Sequence, residues 1–160
     1  MIFKTLWRTK PIKTDKKSVI PANFDSFKYK TAIETRFADF DMMGHVNNAV
    51  YFTYMEVART RYWKQAIAWD WEKTGIVIAK ASVDFILPVY LQDKVTMYVR
   101  TSRVGNTSFD LEYTLVKHVN GSEQVCTTGK TVCVAFDYAS KKSIPIPTTE
   151  RAKMGAFEQL

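Results

Sequence analysis

Cysteine is scarce in this chain. Among 160 residues there are two, Cys126 and Cys133, in one strand-like segment. Their odd separation points them to opposite faces of a regular strand, so they are not expected to pair. A disulfide scaffold is excluded, and reduced thiols in a reducing compartment are expected. Histidine is equally rare, with only His45 and His118. No Cys or His spacing fits a zinc site, so no metal is expected. No phosphate loop or dinucleotide fingerprint is present, and no cofactor is expected. No apolar run is long enough to span a membrane. Residues 1–7 are too short and too interrupted for a signal-peptide core. The expected location is therefore cytoplasmic, without membrane contact.

The length suits one domain with a real core. Hydrophobic residues make up 46% and charged residues 24%, which is ordinary for a soluble globular protein. Aromatic content of 14% is high and suits a sheet-rich fold or a sizeable interface. The formal charge is +7, but residues 1–30 hold eight Lys or Arg and two Asp, so +6 sits there. A nucleic-acid-binding domain spreads its basic charge over a folded face. A basic, solvated arm over 1–26 is the simpler reading, and no nucleic-acid partner is expected.

After that arm, residues 27–37 alternate in places and form the first expected strand. A polar turn follows, and residues 49–67 read as a helix. Tyr51, Met55, Ala58 and Tyr62 recur at helical spacing as an apolar stripe, while Thr53, Glu56, Thr60 and Lys64 fall on the other side. Asn47 or Asn48 is the expected N-cap. Four strand-like runs come next, over 76–87, 93–103, 108–119 and 123–137. Gly105-Asn106 marks one turn, and Asn120-Gly121 is the strongest hairpin signal in the chain. A short helix over 149–157 lies in a C-terminal tail of residues 148–160. One long helix after a first strand, then consecutive antiparallel strands, defines an α+β pattern.

The most informative stretch is TRFADFDMMGHVNNAVYFTYMEVARTRYW, residues 35–63. It places Asp39, Asp41, Gly44, His45, Asn47 and Asn48 in one turn that opens onto the helix. A carboxylate, an imidazole and a helix N-terminus then meet within a few residues. Such a place can activate water and stabilise an oxyanion.

This stretch resembles the hotdog-fold thioesterases of the 4-hydroxybenzoyl-CoA thioesterase type, with their Asp-x-x-Gly turn, His-Val-Asn-Asn-like run and long central helix. The resemblance covers residues 27–147. It implies an antiparallel sheet wrapped round the helix, pairing into homodimers or homotetramers, and hydrolysis of acyl-CoA or acyl-ACP thioesters. It implies Asp41 as the carboxylate that attacks the thioester or activates water. It places the oxyanion-polarising backbone amide near Asn48. The turn glycine, Gly44, and the loop bearing Arg103 and Ser108 are the implied substrate contacts. The Asp41–His45 spacing also resembles the D-x-N-x-H-V-N-N run of plant acyl-ACP thioesterases. Here Met43 replaces the middle Asn, which leaves His45 a supporting role.

Other acidic residues have plainer readings. Asp39 suits a turn or salt bridge. Glu56 stands three residues before Arg59 and suits a helix ion pair. Asp84 suits an outward strand position, and His118 an exposed strand end. Two rival functions use the same fold: a dehydratase or hydratase acting on acyl thioesters, and a non-catalytic acyl-CoA-binding module.

Overall fold

The computed structural model describes residues 24–160. Most of the expected basic arm lies outside these residues. Its last three, Phe24–Ser26, form a 3-10 turn. The chain then makes β1 (Tyr29–Ile33), α1 (Val50–Tyr62), β2 (Gly75–Phe85), β3 (Val95–Val104), β4 (Ser108–Val119), β5 (Ser122–Asp137), β6 (Lys142–Ser143) and α2 (Thr148–Glu158). The strands form one antiparallel sheet in the order β1-β3-β4-β5-β2, with the short β6 added to β5. The sheet curls round α1, which is the hotdog arrangement.

The expected apolar stripe is what holds α1 in place. Tyr51, Met55, Ala58 and Tyr62 are all buried, as is Tyr54. They meet Phe109, Leu111, Tyr113 and Leu115, the alternating inward residues of β4, in one core. Each large side chain so buried contributes about 1.5–3 kcal/mol. Gly129 on β5 leaves room for Met55. A methyl group there would come within 3.1 Å of the Met55 sulfur and 3.2 Å of the Ser82 carbonyl oxygen. After Tyr62 the helix widens into a π turn, Trp63–Ile67, and stops at Ala68 in the left-handed conformation.

Three details differ from the sequence reading. The first strand is shorter than 27–37 and ends at Ile33. Neither expected asparagine sits at the helix cap itself: Ala49 does. Asn47 instead acts two residues earlier, its Oδ1 accepting the Ala49 N–H at 2.9 Å. Finally, Cys126 and Cys133 do not face opposite ways. The register slips between Leu115↔Thr127 and Val116↔Val125, so Cys126 is the extra residue of a β-bulge. The bulge reverses the alternation and puts both thiols in the same core. Burial raises both, each to about 11, so neither is a reactive thiolate.

The bulge also builds a wall of the site. The Cys126 carbonyl accepts the N–H groups of both Ile86 and Leu87, at 2.8 and 3.0 Å. This fixes the chain where β2 runs out towards Pro88. Outside the sheet, Phe24 and Phe27 pack on Tyr98, with Val116 and Val125 beneath. At the far end of β4, Asn120 and Gly121 both have positive φ, 50° and 79°, as the tight hairpin requires.

Candidate active site

The turn between β1 and α1 is tied down at both ends. Phe40 pairs with Val46, and His45 pairs with Tyr90, each by an isolated antiparallel bridge. The Val46 N–H donates to the Val89 carbonyl at 3.0 Å, and the Asn47 N–H to the Asp39 carbonyl at 2.9 Å. Within the turn, the Gly44 N–H donates to the Asp41 carbonyl and the Asp41 N–H to that of His45, both at 3.0 Å. Closing so small a loop needs a positive φ, and Gly44 supplies it at 82°.

Asp41 presents its carboxylate from this rigid loop. Oδ1 accepts the Met43 N–H at 2.8 Å. Oδ2 lies 3.5 Å from His45 Nδ1, too long for a good hydrogen bond but close enough for charge attraction once the ring is protonated. The Asp41 side chain is 29% exposed and that of His45 37%. The carboxylate is thus oriented by the backbone and open to a ligand on one oxygen.

Asp39 braces the loop from behind. It is 1% exposed. Its Oδ1 accepts two bonds from the Arg36 guanidinium, at 3.1 and 2.8 Å. Its Oδ2 accepts the Arg36 N–H and the Tyr54 hydroxyl, both at 2.8 Å. Burial alone would raise the Asp39 carboxyl. These donors outweigh it and hold the group below the ordinary carboxylate range. The Tyr54 phenol is pushed up, by burial first and then by the carboxylate it serves. Asp39 is therefore the salt-bridge residue expected, and Tyr54 is a partner that no local spacing announces.

The helix start offers the second chemical element. Asn47 takes the Ala49 N–H on its side chain and the Val50 N–H on its carbonyl, each at 2.9 Å. Among the described residues nothing accepts the Asn48 N–H. Asn48 lies at the positive end of α1 and lines a cleft. The cleft has a volume of about 200 Å³. His45, Val46, Asn48 and Tyr51 line one side, and residues 85–88 line the other. The sequence favours a core role for Tyr51, as for the other aromatics of α1, over a place in the pocket wall. The 85–88 wall left a weak trace there, a proline closing an apolar strand.

The remaining candidates lie apart. Arg103 and Ser108 sit where β3 turns into β4, whereas β3 begins beside the Asp41 turn, with Val95 opposite Ile33. The two ends are separated by roughly 25–30 Å of strand. The Arg103 guanidinium is engaged with Asp110, at 3.1 and 3.2 Å, and Asp110 is also paired with Lys130. Glu56 is exposed, with Arg59 3.8 Å away. Asp84 is exposed on β2. His118 stands at the end of β4 with its Nε2 2.9 Å from Thr96 Oγ1. Among the described residues no group of three His, Cys, Asp or Glu side chains is placed to hold a metal ion. No helix among them is long and apolar enough to cross a membrane.

A curled antiparallel sheet round one helix, with a carboxylate turn at the helix start, defines a hotdog-fold enzyme of the thioester-hydrolase class. The sequence profile of the thioesterase-like superfamily matches residues 35–154, and the chain belongs to that family. It is 33% identical over 120 residues to YsmA of Bacillus subtilis strain 168, an uncharacterized protein, covering 74% of this chain and 80% of that one. A thioesterase from Thermus thermophilus, solved with coenzyme A and Zn, superposes with a TM-score of 0.74 at 35% identity. That match covers 85% of this chain and 98% of the other. The fold is shared with a 4-hydroxybenzoyl-CoA thioesterase variant bound to 4-hydroxybenzoyl-CoA, at TM-score 0.73 and 15% identity, over 79% of this chain and 97% of that one.

Proposed function

We propose that this protein hydrolyses acyl-CoA thioesters to a free acid and CoA, with Asp41 as the group that attacks the thioester or activates water for the attack. The observation that carries this reading is the shared cleft. His45, 3.5 Å from the Asp41 carboxylate, lines it together with Asn48, whose N–H nothing among the described residues accepts. Hydrolysis needs a nucleophile or base on one side of a carbonyl carbon and a donor to its oxygen. In the base route, Asp41 takes a proton from water, the water oxygen bonds to the carbonyl carbon, and negative charge moves onto the oxygen facing Asn48. Collapse breaks the C–S bond, and the departing sulfur receives the proton. His45 serves as a support that steadies charge on Asp41. Gly44 contributes the bend that aims Asp41 at the substrate.

CoA is the preferred carrier in this reading, supported by the CoA-bound Thermus relative. Acyl-ACP presents the same phosphopantetheine arm. The protein works in the cytoplasm as a homodimer or homotetramer. Support for self-association comes from β2, which among the described residues pairs on one side only, with β5. It leads into Phe85 and Ile86, which are 49% and 39% exposed beside the cleft. A second copy aligned there would cover them and deepen the cleft. Arg103 and Ser108 would serve CoA where a second copy brings its β3–β4 turn to this cleft. The test is a panel of acyl-CoAs assayed with a thiol-detecting reagent. Thiol release that depends on Asp41 supports hydrolysis. Substrate binding or double-bond hydration without thiol release would favour the rival functions.

A further inference from the structure

The inward row of β4 ends on a charge. Phe109, Leu111, Tyr113 and Leu115 alternate into the core, and the next position of that row is Lys117. Its register partner on β3, Val95, belongs to the same core. The Lys117 side chain is 11% exposed. A lysine is rarely so covered unless its ammonium is engaged.

The ammonium reaches the loop between β2 and β3. Its Nζ donates to the Pro88 carbonyl at 3.0 Å. It lies 3.5 Å from Asp93 Oδ2 and 5.4 Å from the centre of the Tyr90 ring. Asp93 Oδ2 also accepts the Tyr90 N–H at 2.9 Å, and the Asp93 N–H donates to the Tyr90 carbonyl at 3.0 Å. Three points of one loop thus converge on one cation. The same loop meets the site on its other side. Residues 85–88 form the cleft wall. The Val89 carbonyl accepts the Val46 N–H, and Tyr90 pairs with His45, their rings 6.3 Å apart. The Cys126 bulge secures only the start of the loop, at Ile86 and Leu87.

We infer that Lys117 is a positioning residue for thioester hydrolysis: by gripping residues 88–93 it fixes the cleft wall and, through Val89 and Tyr90, the segment from His45 to Asn48 relative to Asp41. This rests on the hydrolase reading above. Lys117 stands outside the cleft lining and acts through the loop. A displacement of about 1 Å in a reacting arrangement can cost about a hundredfold in rate. Alignment counts most in the transition state, so the effect falls on kcat more than on KM.

The experiment follows amide hydrogen exchange in wild type, Lys117→Met and Lys117→Arg, with kcat and KM measured on one acyl-CoA. Methionine keeps the apolar stem and removes the charge. Arginine keeps a cation that can still donate to Pro88 and Asp93. In Lys117→Met the Val46 and Tyr90 amides should exchange at least about tenfold faster, while the Leu111 amide in the middle of β4 keeps its wild-type rate. Turnover should fall by about tenfold with KM changed by less than about threefold. Lys117→Arg should recover most of both losses. If Lys117→Met does not fold, Asp93→Asn is the second variant. It keeps an acceptor for the Tyr90 N–H but gives up the charge facing Lys117, and it should speed Val46 exchange by a smaller factor. Wild-type exchange at Val46 and Tyr90 in the folded variant overturns the proposal. So does a rise shared equally by Leu111, which marks a loss of global stability alone. Exchange needs no turnover. A wild type that releases no thiol from any acyl-CoA, with the exchange pattern as expected, would overturn the hydrolase reading instead.

Discussion

Replacing Asp39 by Ala tests whether the buried brace, and not only the turn sequence, holds the site. The side chain is 1% exposed and accepts four hydrogen bonds. The Arg36 side chain is 69% exposed and regains water when its partner leaves, so that ion pair contributes little. The Tyr54 hydroxyl cannot regain water, because Tyr54 is only 2% exposed. Stranding it costs about 1–3 kcal/mol. A total of about 1–3 kcal/mol follows, or a fall in Tm of roughly 2–12 °C for a chain of this size. Urea or thermal unfolding at neutral pH measures it. Tyr54→Phe removes the stranded hydroxyl, so the double variant should be less destabilised than the two single losses added, by about 1–2 kcal/mol. Strict additivity, or an Asp39→Ala loss under about 0.5 kcal/mol, would refute the reasoning. The sign of the pH dependence follows from the same contacts. Asp39 is held below its ordinary value, so its contribution is present above about pH 4, where an unfolded aspartate is ionised. It is lost as pH falls through the folded value. Wild type should therefore lose stability on acidification that Asp39→Asn does not lose.

Gly44→Ala has open space for its methyl group but must hold φ at 82°. A loss of about 1 kcal/mol in stability is expected, with a larger fall in turnover as the Asp41 loop shifts; unchanged kinetics would show that the loop tolerates another shape. Arg103→Ala should leave kcat within about twofold and raise KM for acyl-CoA but not for acyl-pantetheine, which lacks the nucleotide phosphates. Equal KM changes for both would remove Arg103 from CoA recognition. Deleting residues 1–22 keeps Phe24 on Tyr98, so kcat on a short acyl-CoA should stay within a few-fold at high salt, where encounter effects of the basic segment are screened. A folded truncation that hydrolyses nothing would place those residues in the site.

Much of this architecture was legible because it is local. The stripe of Tyr51, Met55, Ala58 and Tyr62 repeats within one helix, and the Asn120-Gly121 turn carries its own conformational demand. The Asp41 turn was readable from its carboxylate, glycine and histidine, and from the family it resembles. What escaped is non-local. The Cys126 bulge exists only in the register of β4 against β5, so simple alternation put the two thiols on opposite faces. The Asp39–Tyr54 bond spans fifteen residues, with no spacing rule to predict it. In the sequence Tyr51 fits a core stripe better than a cleft wall. Only the arrival of Phe85 from the end of β2 shows that it also walls the cleft. Arg103 and Ser108 share a loop in the sequence, and their distance from Asp41 emerges only once β3 is laid along the sheet.

The central claim is that Asp41 carries thioester hydrolysis, and the most direct measurement is kcat for Asp41→Asn on the best acyl-CoA substrate. Asparagine keeps the shape and can still accept the Met43 N–H, so folding should be retained. Loss of the base or nucleophile should lower kcat by about a hundredfold or more. Folded Asp41→Asn enzyme that turns over at near wild-type rate would contradict the account, and a dead Glu56→Gln beside it would move the chemistry to α1.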